Sequence, residues 1–249
     1  MRDRAAFLRP IAHRGLHDSA KGIIENTTAA FEAAIAKGYG IECDVRPAAC
    51  ATPMVFHDLT LDRLIEAEGP LARREAAALK GLAYRNIKGA MLDLAELCEL
   101  VGGRVPLLVE IKSEWEAPDA RYLNAIAATA RAYKGPIALM SFDPAVMVGI
   151  RELAPEIPRG IVSGQFATDC WWRDQLGPQR AYDLTNLLES GPVAPDFYAY
   201  DVNALPTSVT RFAREVEGLP LFTWTVRTKE QRATAAQWAD APIFEGYEP

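Results

Sequence analysis

The sequence predicts an α/β fold, a closed (β/α)8 TIM barrel with a small insertion after the second barrel strand. Three observations predict it. Short apolar runs alternate with amphipathic helical patterns, which argues for parallel βαβ units. The runs number about eight within 249 residues, a count and a length that suit a barrel. No GxGxxG or GxxxxGK[ST] loop supports an open doubly wound sheet.

Each element has its own signal. PIAHR (10–14) reads as the first strand, and Asn26 reads as the cap of a helix whose apolar face is Phe31, Ala34 and Ile35, closed by Gly38. YGIECDV (39–45) is the second strand. The segment from Arg46 to about Met91 is too long for a simple crossover and reads as an inserted lobe, approximately 46–91, within one catalytic domain spanning 1–249. Asp93 caps LAELCELV, where Leu94, Leu97, Cys98 and Val101 share a helical face, and Gly102-Gly103 stops it. VPLLVEIK (105–112) is the next strand, followed by a helical pattern over 119–133. PIALMSF (136–142) precedes a helix opened by Asp143-Pro144 and running to about Leu153. PRGIVSG (158–164) and DFYAYD (196–201) read as strands with a less legible stretch between them. Val209, Phe212, Ala213 and Val216 mark a helix, PLFTWTV (220–226) a strand, and Thr228 with Gln231 a capping box. The last apolar run is APIFEG (241–246), and no full helix follows it in this chain.

Composition narrows the function classes. The net charge of −6 is spread over interspersed signs with no basic run, so a nucleic-acid partner is not expected. No stretch approaches the roughly 18 apolar residues of a membrane span, and the N-terminus has no apolar core of signal-peptide length. Cys43, Cys50, Cys98 and Cys170 form no CxxC pair, so a reduced, cytoplasmic protein without a cysteine-held zinc is expected.

The charged residues inside the apolar runs carry the chemistry. Residues two apart on a strand face the same way, so Glu42 and Asp44 share a face and Glu110 and Lys112 repeat the arrangement. His13 ends the first strand, followed by Arg14. Functional groups of this fold sit at the C-terminal ends of strands, so these groups should converge. Three converging carboxylates cannot all stay ionised without a cation. One hard divalent ion, Mg²⁺ or Ca²⁺, suits oxygen ligands. Arg14 and Lys112 suit a phosphate. Histidine is the side chain suited to proton transfer near neutral pH, so His13 and His57 are the candidates, one to take a proton and one to give it. The inferred chemistry is metal-assisted cleavage of a phosphate ester. Blander readings stand beside it: an isolated acid pair is more often a solvated edge, His17 reads as a surface histidine, Asp58 as a turn cap, and Trp224 as a core aromatic.

The ordered pieces His13-Arg14-Gly15, Glu25-Asn26-Thr27, Glu42-Cys43-Asp44, His57-Asp58, Glu110-Ile111-Lys112 and Trp224-Thr225-Val226 resemble the glycerophosphodiester phosphodiesterases over about residues 11–226. The resemblance implies a barrel with a small insertion after the second strand and a small-molecule glycerophosphodiester substrate. It implies that Glu42, Asp44 and Glu110 hold one divalent cation, with Mg²⁺ favoured by a cytoplasmic setting and Ca²⁺ the alternative. His13 and His57 would be the acid/base pair, with His13 as base and His57 as acid or the reverse. Arg14 and Lys112 would bind phosphate, Trp224 would border the glycerol pocket, Glu25 would support the site from behind, and Asn26 would remain the helix cap. The products would be glycerol 3-phosphate and an alcohol. Two places depart from the family pattern: RPAACATP stands where many members carry a Thr-Lys-Asp-Gly turn, and FEGYEP stands where Thr-Asp-x-Pro is usual. Rival readings are sphingomyelinase D-like or lysophospholipase D-like cleavage of lipid headgroups, and a non-catalytic barrel that binds phosphorylated ligands.

Overall fold

The structure is a computed structural model that describes residues 3–85, 89–166 and 173–249, without the side chains of Arg173 and Asp174. Cys170 therefore lies outside the described residues, as do the end of the insertion near 86–88 and part of the stretch between 164 and 196. The chain opens with α1 (Arg4–Phe7), β1 (Ile11–Ala12), α2 (Thr28–Lys37) and β2 (Gly40–Pro47), then β3 (Pro53–Val55), α3 (Ala76–Lys80) and α4 (Leu94–Val101). It continues with β4 (Leu107–Ile111), α5 (Ala120–Ala132), β5 (Ile137–Ser141), α6 (Pro144–Leu153) and β6 (Arg159–Ser163). Then come α7 (Arg173–Thr185), α8 (Ser190–Val193), β7 (Phe197–Asp201), α9 (Ser208–Glu215), β8 (Leu221–Val226), α10 (Lys229–Trp238) and β9 (Ala241–Phe244).

Among the described residues, eight of these strands are parallel neighbours in the order β1-β9-β8-β7-β6-β5-β4-β2, and the pairing of β1 with β2 closes the barrel. The remaining strand, β3, turns back antiparallel on β2 and begins the insertion. The inserted lobe has its own apolar cluster, in which Met54, Phe56, Leu61, Ile65, Leu71 and Tyr84 are buried. No helix among the described residues is long and apolar enough to cross a membrane.

Strand alternation sorts the side chains. Ile41, Cys43 and Val45 of β2, with Leu107, Val109 and Ile111 of β4, join the core between strands and helices. The intervening residues point into the barrel, where Leu108, Val162, Phe197, Phe222 and Ile243 form the lower interior. Phe7 of α1 is fully buried in this interior cluster and stacks on Phe222, with ring centroids 6.5 Å apart. Helix ends follow the sequence cues at three places. Asp93 with Glu96 and Thr228 with Gln231 form reciprocal capping boxes, and Asp143 accepts from the Ala145 N–H with Pro144 in the first turn.

One cap is corrected. Thr27, not Asn26, is the N-cap of α2, and its hydroxyl donates to the Ile24 carbonyl and accepts no bond from the helix's first N–H groups. Asn26 is buried in a left-handed conformation (φ 56°), and its amide donates to Asp44 Oδ2 at 2.9 Å. The turn before α2 is thus tied to β2 by a side chain that the sequence pattern assigned to a helix end.

Candidate active site

The HRG tripeptide leaves β1 in a tight turn. His13 N–H still donates to the Phe244 carbonyl in strand fashion, then Arg14 (φ 56°) and Gly15 (φ 79°) enter the left-handed region. Gly15 is needed there for a second reason: a Cβ would lie 2.8 Å from the Ala30 backbone carbon of α2. The turn aims the Arg14 N–H at Glu42 Oε2, 2.9 Å away.

The parallel register of β2 and β4 sets Asp44 beside Glu110, with Glu42 one inward position below. Glu42, Asp44 and Glu110 are all buried, and each offers an oxygen within 4.8 Å of the others. Lys112 Nζ lies 2.8 Å from Asp44 Oδ1 and 2.5 Å from Glu110 Oε1. Arg14 reaches Asp44 Oδ2 through Nε at 3.2 Å and Glu25 Oε1 through Nη1 at 2.7 Å. The three acids converge as the sequence predicts, with two of the chain's own cations beside them.

Their charges are unevenly compensated. Burial opposes ionisation of Asp44, but Lys112 and Arg14 outweigh it and hold its carboxyl well below the usual range. Glu42 goes the other way: burial first, then Asp44 and Glu110, push its pKa well above the carboxylate norm. Glu42 Oε1 is buried with no hydrogen-bond partner among the described residues. A purely oxygen donor set with one orphaned oxygen and unbalanced negative charge is what a hard divalent cation would satisfy. The cluster fits such an ion.

Two imidazoles flank the cluster. His13 Nδ1 is 2.7 Å from Glu245 Oε2, while its Nε2 faces Glu42 Oε2 at 4.0 Å. Burial depresses the His13 pKa below the usual imidazole value, against the opposing pull of Glu245. His57 Nδ1 is 2.8 Å from Asp58 Oδ1. Asp58 is more than a turn cap, because Arg63 from the inserted lobe binds both of its oxygens and also Glu25. His17, expected at the surface, is half-buried with Nε2 3.9 Å from Glu245 Oε2.

These groups open into a cavity of about 600 Å³ at the C-terminal ends of the strands. Its lining includes His13, Arg14, Glu42, His57, Glu110 and Lys112, with Trp115, Phe142 and Trp224 as an aromatic wall. Trp224 donates through Nε1 to the Ala199 carbonyl and meets Phe142 edge-on at 5.2 Å. Glu25 lies behind the cavity between Arg14 and Arg63. Arg46, at the end of β2 where the sequence departs from the family turn, donates to the His57 carbonyl and pairs with Glu114.

Sequence reasoning missed Glu245 and Arg63. Glu245 had a usable signal, since it follows the last barrel strand where this fold places its functional groups. Arg63 had none: it lies on an irregular stretch and reaches Glu25, 38 residues away along the chain, past α2, β2 and β3.

The sequence profile described as "Glycerophosphoryl diester phosphodiesterase family" matches residues 13–244. A glycerophosphodiester phosphodiesterase of Caldanaerobacter subterraneus subsp. tengcongensis is 27% identical over 231 residues, covering 88% of this chain and 86% of that protein. Among solved structures, a phosphodiesterase of Oleispira antarctica in complex with the product sn-glycerol-3-phosphate superposes with a TM-score of 0.73 at 20% identity, covering 95% of this chain and 92% of that one. A putative glycerophosphodiester phosphodiesterase of Galdieria sulphuraria gives 0.75 at 16% identity, with 95% and 92% covered. At these identities the two structures bear on the fold alone. Barrel and family match together define the class, a phosphoric diester hydrolase built on a (β/α)8 barrel. Within that class, the chain belongs to the glycerophosphoryl diester phosphodiesterase family.

Proposed function

We propose that this chain hydrolyses soluble glycerophosphodiesters to glycerol 3-phosphate and an alcohol, with its 249 residues acting as one catalytic unit and a divalent cation, Mg²⁺ in the cytoplasm, as cofactor. The observation that carries the reading is the pairing of two imidazoles, each tied through Nδ1 to a carboxylate, on one cavity with three clustered acids. The glycerophosphodiester class of substrate comes from the family match and the relatives.

Glu42, Asp44 and Glu110 would hold the cation, whose charge would neutralise the phosphate and acidify a coordinated hydroxyl. Arg14 and Lys112 add fixed positive charge beside the phosphate, and Trp224 packs against the glycerol carbons. His13, kept neutral by burial, takes the proton of the glycerol 2-hydroxyl on Nε2. The freed oxygen pair forms the new O–P bond as the bond to the leaving alcohol breaks, and His57 gives that alcohol its proton. Water then opens the resulting cyclic phosphate: neutral His57 takes the water proton, and His13 returns its own to the glycerol oxygen. Both histidines end as they began.

The test is glycerol 3-phosphate release from glycerophosphocholine and glycerophosphoethanolamine with Mg²⁺, Mn²⁺ or Ca²⁺ and with EDTA. Activity is expected with a cation and not with EDTA, and His57→Ala should lose roughly 10²–10⁴-fold in rate. Choline release from lysophosphatidylcholine in preference to glycerophosphocholine supports the lipid-headgroup reading instead. No turnover with any of the three cations supports a binding protein.

A further inference from the structure

Strands β8, β9 and β1 meet where the barrel closes, and four side chains converge on the rim of that seam. Glu245 follows β9, and its N–H donates to the Val226 carbonyl at the end of β8. Arg227 is the next residue along from Val226, and its Nη2 lies 2.9 Å from Glu245 Oε2. His13, whose own N–H donates to the Phe244 carbonyl, brings Nδ1 to 2.7 Å from that same oxygen. His17 Nε2 approaches it at 3.9 Å.

The pairing has a definite polarity. Burial opposes ionisation of Glu245, but His13 and Arg227 prevail and bring its pKa down to about 2. An ionised carboxylate only accepts, so the short contact requires the proton of neutral His13 to sit on Nδ1. The lone pair is then on Nε2, the nitrogen that faces the acidic cluster and the cavity. In the opposite tautomer, Nδ1 would present a lone pair to a carboxylate and Nε2 would have no basic electrons for a substrate. Arg227 pairs with the same oxygen of Glu245, uses part of its acceptor capacity and restrains the carboxylate.

We propose that Glu245 is a positioning residue, clamped by Arg227, that fixes the tautomer and ring orientation of His13 so that Nε2 is the basic nitrogen. The proposal rests on the reading of His13 as general base. It goes beyond that reading by assigning a role to a carboxylate in the FEGYEP segment, where the chain departs from the usual Thr-Asp-x-Pro.

Glu245→Gln tests it, because glutamine keeps the size but can donate to Nδ1 and so admits the wrong tautomer. Steady-state kinetics on glycerophosphocholine with Mg²⁺ should show kcat reduced at least roughly 10-fold, and by no more than the ~10²–10⁴-fold loss of His13→Ala, with KM little changed. The double variant His13→Ala/Glu245→Gln should be no slower than His13→Ala alone, since the two act as one unit. Nitrogen-15 NMR of the ring nitrogens should report the Nδ1–H form of His13 in the parent protein and loss of that preference in Glu245→Gln. Glu248→Gln, which removes only an exposed pairing with Lys37, is the control and should leave kcat unchanged. If Glu245→Gln does not fold, Glu245→Asp is read in its place; its shorter carboxylate should give an intermediate kcat. Full kcat in the variant that folds, or losses that multiply in the double variant, overturns the proposal while leaving the base reading intact; an Nε2–H tautomer in the parent protein, which leaves no lone pair on Nε2, overturns both. Full activity in His13→Ala overturns the base reading and the proposal with it.

Discussion

Glu42 shows what a single residue gives up for function. It is buried at 1% exposure, its Oε1 has no partner among the described residues, and its neighbours Asp44 and Glu110 are of like charge. Its raised pKa means that the folded state resists ionisation. It therefore destabilises the metal-free fold above the ordinary carboxylate pKa of about 4, and the cost fades as pH falls through the raised value. Replacing such a group by a neutral one of similar volume is expected to help: Glu42→Gln in EDTA at pH 7 should unfold at a higher temperature than its parent. Excess Mg²⁺ should reverse the order, because the parent protein gains ligand-linked stability that the variant largely lacks. Thermal unfolding with and without the cation measures both. A variant less stable than its parent in EDTA would show that Glu42 is satisfied without an ion.

Among elements, the inserted lobe does more than cover the barrel. Arg63, on an irregular stretch after β3, binds Asp58 and Glu25 together, and so ties the partner of His57 to the partner of Arg14. Burial disfavours both carboxylates, but Arg63 with His57 lowers Asp58, and Arg63 with Arg14 lowers Glu25. Groups with depressed pKa contribute stability above their unfolded value of about 4 and lose it as pH falls through the folded value. Arg63→Met should therefore unfold below the parent at pH 7, by about 1 kcal/mol given its half-exposed guanidinium, and the gap should shrink towards pH 3. Melting temperatures at the two pH values decide it; an equal gap would assign the loss to packing. The sequence signalled the lobe by the length of the 46–91 segment and by the family resemblance. Its contacts were illegible, because ion pairs between distant irregular segments leave no periodicity. Alternation did reveal the inward acids Glu42, Asp44 and Glu110, since strand geometry fixes side-chain direction locally. Asn26 failed for a related reason: a cap and a buried donor to Asp44 use the same residue type, and only the tertiary fold chooses between them.

Across the whole molecule, the barrel separates stability from chemistry by its two ends. The run of short strands and capped helices made the eightfold alternation and its closure readable, with β1 inside the 10–14 run, whereas the plug formed by α1 was not. Four residues of helix carry too little pattern to register. Phe7 of that helix is 0% exposed, packed among Ile11, Phe197, Phe222 and Ile243 in the lower interior. The cavity with its histidines and acids lies above this layer and shares Ile243 and Val162 with it, but Phe7 is not part of its lining. Truncating a buried aromatic costs both transfer energy and a cavity, so Phe7→Ala should lose about 3–5 kcal/mol of stability. For a chain of this size each kcal/mol shifts the melting temperature by about 2–4 °C. Below the new transition the barrel mouth keeps its register, because it is set by strand pairing above the plug. The variant should then keep the kcat and KM of its parent at 20 °C while melting several degrees earlier. Calorimetry paired with kinetics at that temperature checks the separation. A fall in kcat in the folded variant would mean that packing at the floor of the barrel reaches the acids at its mouth.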